Sequence, residues 1–135
     1  MVTKIDHIGI AVENLEEAVI RYTQLLGRPP AHFEEVVEQQ VKTAFFSVGE
    51  SNLELLESTS PEGPIGRFIA KQGRGGIHHI CVAVEDIEAT LKAYKEAGIQ
   101  LIDETPRIGA HNKKVAFVHP KGTGGILLEL SQESS

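Results

Sequence analysis

Two histidines and two glutamates occupy matching positions in two copies of one repeated sequence. His7 lies in KIDHIGIAVENLEEAV and His79 lies in GIHHICVAVEDIEATL, half a chain length further on. Glu54 in NLEL and Glu129 in LLEL form the second matched pair. Imidazole nitrogens together with carboxylate oxygens suit Zn²⁺, Mn²⁺, Fe²⁺, Co²⁺ or Ni²⁺ better than Ca²⁺.

The alternation of apolar residues predicts which way the two histidines point. Both stretches are predicted strands, in which consecutive side chains point to opposite faces of a sheet. His7 and His79 each share a face with small residues and lie opposite an aliphatic row, which a helix must cover. We therefore expect both histidines on the uncovered face. His78 then lies on the helix side, so the repeat selects His79 as the partner of His7.

The two glutamates follow the same alternation. Leucines flank Glu54 and Glu129 on both sides, so each carboxylate is predicted on the face opposite its aliphatic neighbours. A buried carboxylate is costly unless it is paired or bound to a cation, and neutral imidazoles supply no positive charge. If the two halves pair around one surface, the four side chains predict a shared divalent metal site.

A histidine that stands alone on a strand is more often structural, or simply at the surface, than a metal ligand. That interpretation applies to His32, His78, His111 and His119.

Each copy continues from its strand into an amphipathic helix and then into three strands, so each half is predicted as βαβββ. Asn14 and Asp86 stand where an N-cap is expected. The predicted helices cover residues 15–26, 65–71 and 87–97, and the predicted strands cover residues 3–12, 33–38, 41–48, 52–57, 77–84, 100–104, 114–119 and 125–131. We expect one domain over residues 1–135, with module one at 1–60, a linker and short helix at 61–75, and module two at 76–135.

Composition limits the class of protein. A hydrophobic content of 41% with 24% charged residues is ordinary for a soluble globular chain. Apolar runs all fall short of the roughly 20 residues of a membrane span, and the N-terminus enters a strand directly, so we expect no signal peptide and a cytoplasmic location. The single cysteine, Cys81, fits a reducing compartment. A formal charge of −6 argues against nucleic acid, although basic residues near 71–74 and 107–121 could meet an anionic ligand.

The duplicated βαβββ pattern, with His and Glu on matching strands, resembles the vicinal oxygen chelate (glyoxalase/bleomycin resistance/dioxygenase) superfamily over essentially the whole chain. The resemblance implies an α+β fold whose two modules pair into a curved, barrel-like mixed sheet with the helices outside. Four segments look like the methylmalonyl-CoA epimerase family of that superfamily: Ile77-His78-His79, Ile108-Gly109-Ala110-His111, His119-Pro120-Lys121 and Leu128-Glu129-Leu130. By the same resemblance the metal ligands are His7, Glu54, His79 and Glu129.

The resemblance also implies the reaction, which is metal-dependent epimerisation of methylmalonyl-CoA at C2, in propionate metabolism. The proton is removed and returned through a metal-stabilised enolate, with Glu129 as one acid/base. Some family members carry a further glutamate where this chain has Thr43, and Glu38 is a nearby candidate for that role. The expected cofactor is Co²⁺, or else Mn²⁺, Ni²⁺ or Zn²⁺. The expected partners are an acyl-CoA substrate and a second copy in a homodimer, with no nucleic acid and no membrane. The expected substrate contacts are Thr43, Ser47, His111, Lys114 and His119.

Two alternative functions are also compatible with the sequence. Glyoxalase I (lactoylglutathione lyase) shares the fold and would use the same four ligands, although the segments at 78–79, 109–111 and 119–121 look like the epimerase family. A non-catalytic small-molecule binder is the second alternative. Drug-sequestering members of the superfamily generally lack the complete metal quartet that this chain carries.

Overall fold

A computed structural model describes residues 1–133 of the chain and shows the predicted mixture of helices and strands. The strands are β1 (Val2–Ala11), β2 (His32–Val36), β3 (Val41–Val48), β4 (Ser51–Ser58), β5 (Gly76–Val84), β6 (Arg107–Ile108), β7 (Lys114–Val118) and β8 (Leu128–Gln132). The helices are α1 (Leu15–Leu26), α2 (Pro64–Gln72), α3 (Ile87–Glu96) and α4 (Pro120–Thr123). Both halves keep the predicted βαβββ order. Within residues 1–133, every helix is too short or too polar to span a lipid bilayer.

The chain divides into two compact units. The N unit is Ile8–His78, and the C unit combines Met1–His7 with the chain from His79 onward. Strand β1 passes from the C unit to the N unit between His7 and Ile8, so its first residues belong with the second half of the sequence.

In the N unit the strand order is β2-β3-β4-β1, with β3 antiparallel to both β2 and β4. Helix α1 begins at the Asn14 cap, whose side chain accepts from the Glu17 N–H at 2.9 Å, and ends at the left-handed Gly27. Its apolar side packs against β3 and β4 through buried residues that include Phe46 and Leu55. Alternation then places Glu54 on the other face of the sheet.

In the C unit the strand order is β1-β5-β8-β7-β6, with β5 parallel to β8 and the β8-β7-β6 pairs antiparallel. Helix α3 starts at Asp86, whose carboxylate accepts from the Ala89 N–H at 3.0 Å. The helix covers a core of aliphatic residues from the sheet, among them Val84 and Leu130. His79 lies five residues before Val84, and Glu129 lies one residue before Leu130. Because side chains alternate along a strand, these odd offsets place both residues on the uncovered face, as predicted.

The strand predicted at 100–104 is wrong, because only an isolated bridge joins Leu101 to Val118. The Phe117 carbonyl accepts from both the Ile102 and Asp103 N–H groups, and the Asp103 carboxylate accepts from the Phe117 N–H at 2.8 Å. A side chain thus replaces the backbone acceptor that a continuing strand would offer. The short strand β6 follows instead, and β8 begins at residue 128 rather than 125 because the two glycines at 124 and 125 have positive φ angles.

Candidate metal centre

Three of the four predicted ligands lie on neighbouring strands of the C unit. His7 is on β1, His79 on β5 and Glu129 on β8, and these strands are adjacent in the order β1-β5-β8. In the parallel register of β5 and β8, Glu129 lies opposite Cys81, two residues beyond His79. Side chains that share one face of adjacent strands are close enough to interact. The local alternation of the sequence therefore brings the three predicted ligands together.

The ligand atoms of these three side chains converge. The Nε2 atoms of His7 and His79 are 3.0 Å apart, and Glu129 Oε1 lies 3.4 Å and 3.3 Å from them, respectively. Ligand atoms held about 2.0–2.1 Å from a first-row divalent ion are separated from one another by about 2.9–3.4 Å. His79 is 7% exposed, so the group is largely shielded from water. The donor set and its spacing fit a divalent metal ion.

Asp6 adds a partner that the sequence did not predict. Its Oδ2 lies 2.8 Å from His7 Nδ1, and its Oδ1 lies 3.1 Å from Lys113 Nζ. The hydrogen bond from His7 lowers the pKa of Asp6 to about 2 against the opposing effect of burial, and the charge of Lys113 adds to the lowering. Because an ionised carboxylate can only accept, this contact favours the His7 tautomer with its hydrogen on Nδ1, in which Nε2 is the nitrogen that can bind a metal.

Cys81 lies close to Asp6 and His7, and these three also form a group of potential ligands. Burial, with a contribution from the Glu129 carboxylate, raises the pKa of the Cys81 thiol. A metal ligand would have to be the thiolate, which this environment disfavours. The trio of His7, His79 and Glu129 is thus the better candidate for a metal site in the C unit.

An aromatic side chain borders the trio. The ring centroid of Phe117 lies 6.3 Å from that of His79 in an edge-to-face arrangement, and the Arg107 guanidinium lies 5.6 Å from the Phe117 centroid. Phe117 belongs to β7 and alternates with the core residue Val118, so its side chain points away from α3. It supplies an apolar wall beside His79.

The fourth predicted ligand and two predicted substrate contacts belong to the N unit. Glu54 is 7% exposed and lies opposite Phe45 in the β3–β4 register. The Thr43 hydroxyl donates to the Glu34 carbonyl at 3.0 Å, and the Ser47 hydroxyl donates to Asn52 Oδ1 at 3.3 Å. Neither hydroxyl is an acid or a base of suitable strength, so Thr43 does not replace a glutamate as a proton carrier.

The other predicted contacts in the C unit are not drawn into the trio. Lys114 Nζ lies 3.1 Å from Glu88 of α3, on the helix-covered face opposite Glu129. His119 caps α4 by accepting from the Lys121 N–H at 3.0 Å. His111 lies in a 3₁₀ turn with a φ of 58°.

Residues 6–117 match the Glyoxalase/Bleomycin resistance protein/Dioxygenase superfamily. The chain belongs to this superfamily. It is 38% identical over 130 residues to the mitochondrial methylmalonyl-CoA epimerase of Dictyostelium discoideum, covering 96% of this chain and 78% of the relative. It is 39% identical over 133 residues to the ethylmalonyl-CoA/methylmalonyl-CoA epimerase of Cereibacter sphaeroides, covering 98% and 99%.

Solved structures of the superfamily extend the similarity to three dimensions. A variant of the Streptomyces coelicolor methylmalonyl-CoA epimerase, in complex with 2-nitronate-propionyl-CoA, matches this chain with a TM-score of 0.92 and 33% identity. The match covers 100% of this chain and 97% of that one. The predicted superfamily, its α+β fold class and the resemblance to methylmalonyl-CoA epimerases are confirmed.

Proposed function

We propose that this chain is an epimerase that interconverts the two C2 epimers of methylmalonyl-CoA with the help of a divalent metal ion. The observation that carries the proposal is the convergence of His7, His79 and Glu129 on one point, at separations of 3.0–3.4 Å. Relatives of almost the same length that carry this name support the choice of reaction. The complex of the Streptomyces coelicolor relative with a propionyl-CoA analogue supports an acyl-CoA substrate.

His7, His79 and Glu129 would hold the metal, and Glu54 stays a predicted fourth ligand. A bound divalent cation, with Co²⁺ as our first choice, supplies a positive charge that stabilises the negative charge developing on the thioester oxygen as the C2 proton leaves. The two imidazoles must bind through neutral nitrogens, and the Asp6 contact with His7 Nδ1 leaves Nε2 free of hydrogen for that purpose.

Glu129 is the proposed proton carrier on one face of the substrate. Its carboxylate is 12% exposed and lies within 3.4 Å of both imidazoles, so its position is fixed relative to the metal ligands. Removal of the C2 proton to a carboxylate produces a planar enolate, and inversion needs proton return to the other face. A second group must supply that proton. Glu38, the candidate from the sequence, lies exposed in the 3₁₀ turn Val37–Gln39.

The test is to start from one C2 epimer of methylmalonyl-CoA and to follow the circular dichroism of the solution with metal-loaded and with chelator-treated protein. We expect the signal to relax to that of the epimer mixture only with metal. In parallel, the hemithioacetal of methylglyoxal and glutathione serves as the substrate for the glyoxalase I alternative. Turnover of the hemithioacetal with no change in the epimer would replace the epimerase proposal by the lyase.

A further inference from the structure

The Asp6 carboxylate is engaged at both oxygen atoms by residues far apart in the chain. His7 takes Oδ2 at 2.8 Å and Lys113, 107 residues from Asp6, takes Oδ1 at 3.1 Å. Asp6 is 7% exposed and the Lys113 side chain is 20% exposed, so this hydrogen-bonded chain of three groups is largely withdrawn from water. Hydrogen bonds at both oxygens restrict the rotation of the carboxylate, which favours one orientation of the imidazole that it contacts.

The two repeat copies differ at this position. The residue before His7 is Asp6, whereas the residue before His79 is His78. His78 belongs to the N unit, where its ring packs edge-to-face against Phe68 at 5.0 Å. The acid is therefore not a requirement of the repeated strand, because the second copy builds the same strand without it.

A purely structural role for Asp6 explains the arrangement poorly. Lys113 has a second, exposed partner in Glu133 at 3.7 Å, so the ammonium group does not require a buried acid. A buried ion pair contributes little to stability compared with apolar residues of the same volume. What the buried Asp6 carboxylate does supply is a negative acceptor facing His7 Nδ1.

We propose that Asp6 is a positioning residue, which holds His7 in its Nδ1–H tautomer with Nε2 aimed at the metal, and that Lys113 fixes the carboxylate in place. The inference rests on the metal centre of the proposed function. Loss of a carboxylate that orients a metal-binding histidine typically weakens metal binding about 10–100-fold. We expect that range for Asp6→Ala. A smaller loss is expected for Asp6→Asn, because the amide oxygen still accepts from Nδ1–H but carries no charge.

The first measurement is the Co²⁺ dissociation constant, obtained by competition with a chelator, together with the visible absorption of the Co²⁺-loaded protein. Wild type, Asp6→Asn and Asp6→Ala should bind Co²⁺ in that order of decreasing affinity, and the absorption bands should change as the His7 ligand is displaced. Asp86→Ala is the matched control, since it removes an aspartate from the same unit at a helix cap remote from His7. It should leave the Co²⁺ affinity within about twofold of wild type.

The double variant Asp6→Asn/Lys113→Met separates positioning from stability. If Asp6 served only to neutralise Lys113, removing both charges would restore the thermal stability and the Co²⁺ affinity together. Positioning predicts that the Co²⁺ affinity of the double variant stays at or below that of Asp6→Asn even when the stability recovers. Recovery of full affinity in the double variant would overturn the proposal.

A second measurement reads the tautomer directly in metal-free protein. Nitrogen-15 chemical shifts of His7 should show a hydrogen on Nδ1 in wild type and a mixture of tautomers in Asp6→Ala. A wild-type His7 with its hydrogen on Nε2 would contradict the inference. If wild-type protein binds Co²⁺ and Asp6→Ala binds it with the same affinity, the inference alone is contradicted. If wild-type protein binds no divalent metal, the proposed metal centre is contradicted as well.

Discussion

At the scale of single residues, Glu129 has two proposed tasks, which are to bind the metal and to carry a proton. The amide of Glu129→Gln can still offer an oxygen to the metal, but it cannot take a proton at neutral pH. We expect kcat to fall by a factor of about 10²–10⁴, which is the usual contribution of a general acid or base, while the Co²⁺ affinity changes much less. Epimerisation rate and metal content, measured on the same preparation, separate the two tasks. Equal losses of rate and metal would reduce Glu129 to a ligand.

The adjacent histidines provide a matched pair of substitutions. The Nε2 of His79 lies 3.0 Å from that of His7, whereas His78 contacts Phe68 in the N unit. His79→Ala should strongly reduce Co²⁺ occupancy, because it removes one of the three converging side chains that we propose as ligands. His78→Ala should keep the metal and lose about 1 kcal/mol of folding free energy from the aromatic contact. Metal analysis after dialysis is the check, and loss of metal from His78→Ala would show that the repeat alignment selects the wrong histidine.

At the scale of elements, a helix-capping residue follows each of the two strands that carry His7 and His79. Asn14 accepts from the Glu17 N–H at 2.9 Å and Asp86 from the Ala89 N–H at 3.0 Å. Replacing either residue by alanine leaves the N–H group without its acceptor. The free energy of unfolding, measured in urea, should fall by about 1 kcal/mol. Asp86→Asn is the control, because asparagine caps equally well. If Asp86→Asn loses as much unfolding free energy as Asp86→Ala, the charge of Asp86, and not its capping hydrogen bond, stabilises α3.

The elements show why some of the fold can be read from the sequence and some cannot. Helix α1 agrees with the prediction at both ends because the residues that bound it, the Asn14 cap and the left-handed Gly27, lie next to it in the sequence. The strand expected at 100–104 fails because the deciding contact, from the Asp103 carboxylate to the Phe117 N–H, joins residues 14 apart and involves a side chain. Hydrophobic alternation contains no information about such a contact.

Some residues of the candidate site could likewise be predicted from the sequence, and others could not. His7, His79 and Glu129 were predicted because each stands on a strand with clear alternation and has a counterpart in the other copy of the repeat. Asp6 was missed because its counterpart is His78 and because its partner Lys113 is 107 residues away. The only local signal was an acidic residue next to a predicted ligand, at a strand position that alternation assigns to the opposite face.

At the scale of the whole molecule, binding of the proposed metal must stabilise the folded chain. The proposed ligands come from strands at opposite ends of the sequence, so only the folded state brings them together. At a free Co²⁺ concentration one hundred times the dissociation constant, the stabilisation is about 2.7 kcal/mol. For a chain of this size the melting temperature should rise by roughly 10 °C. Differential scanning calorimetry should show this rise in wild type and little or none in His79→Ala, and equal rises in both would place the bound metal elsewhere.

Exchange of the C2 proton tests the reaction and the metal centre together. Chelator-stripped protein is incubated with one epimer of methylmalonyl-CoA in D₂O, with and without added Co²⁺. We expect deuterium to enter C2 rapidly only when Co²⁺ is present, and both epimers to accumulate as it does. Absence of exchange with every divalent metal tried would contradict the proposed epimerase, and exchange that is equally fast after chelation would contradict the role assigned to His7, His79 and Glu129.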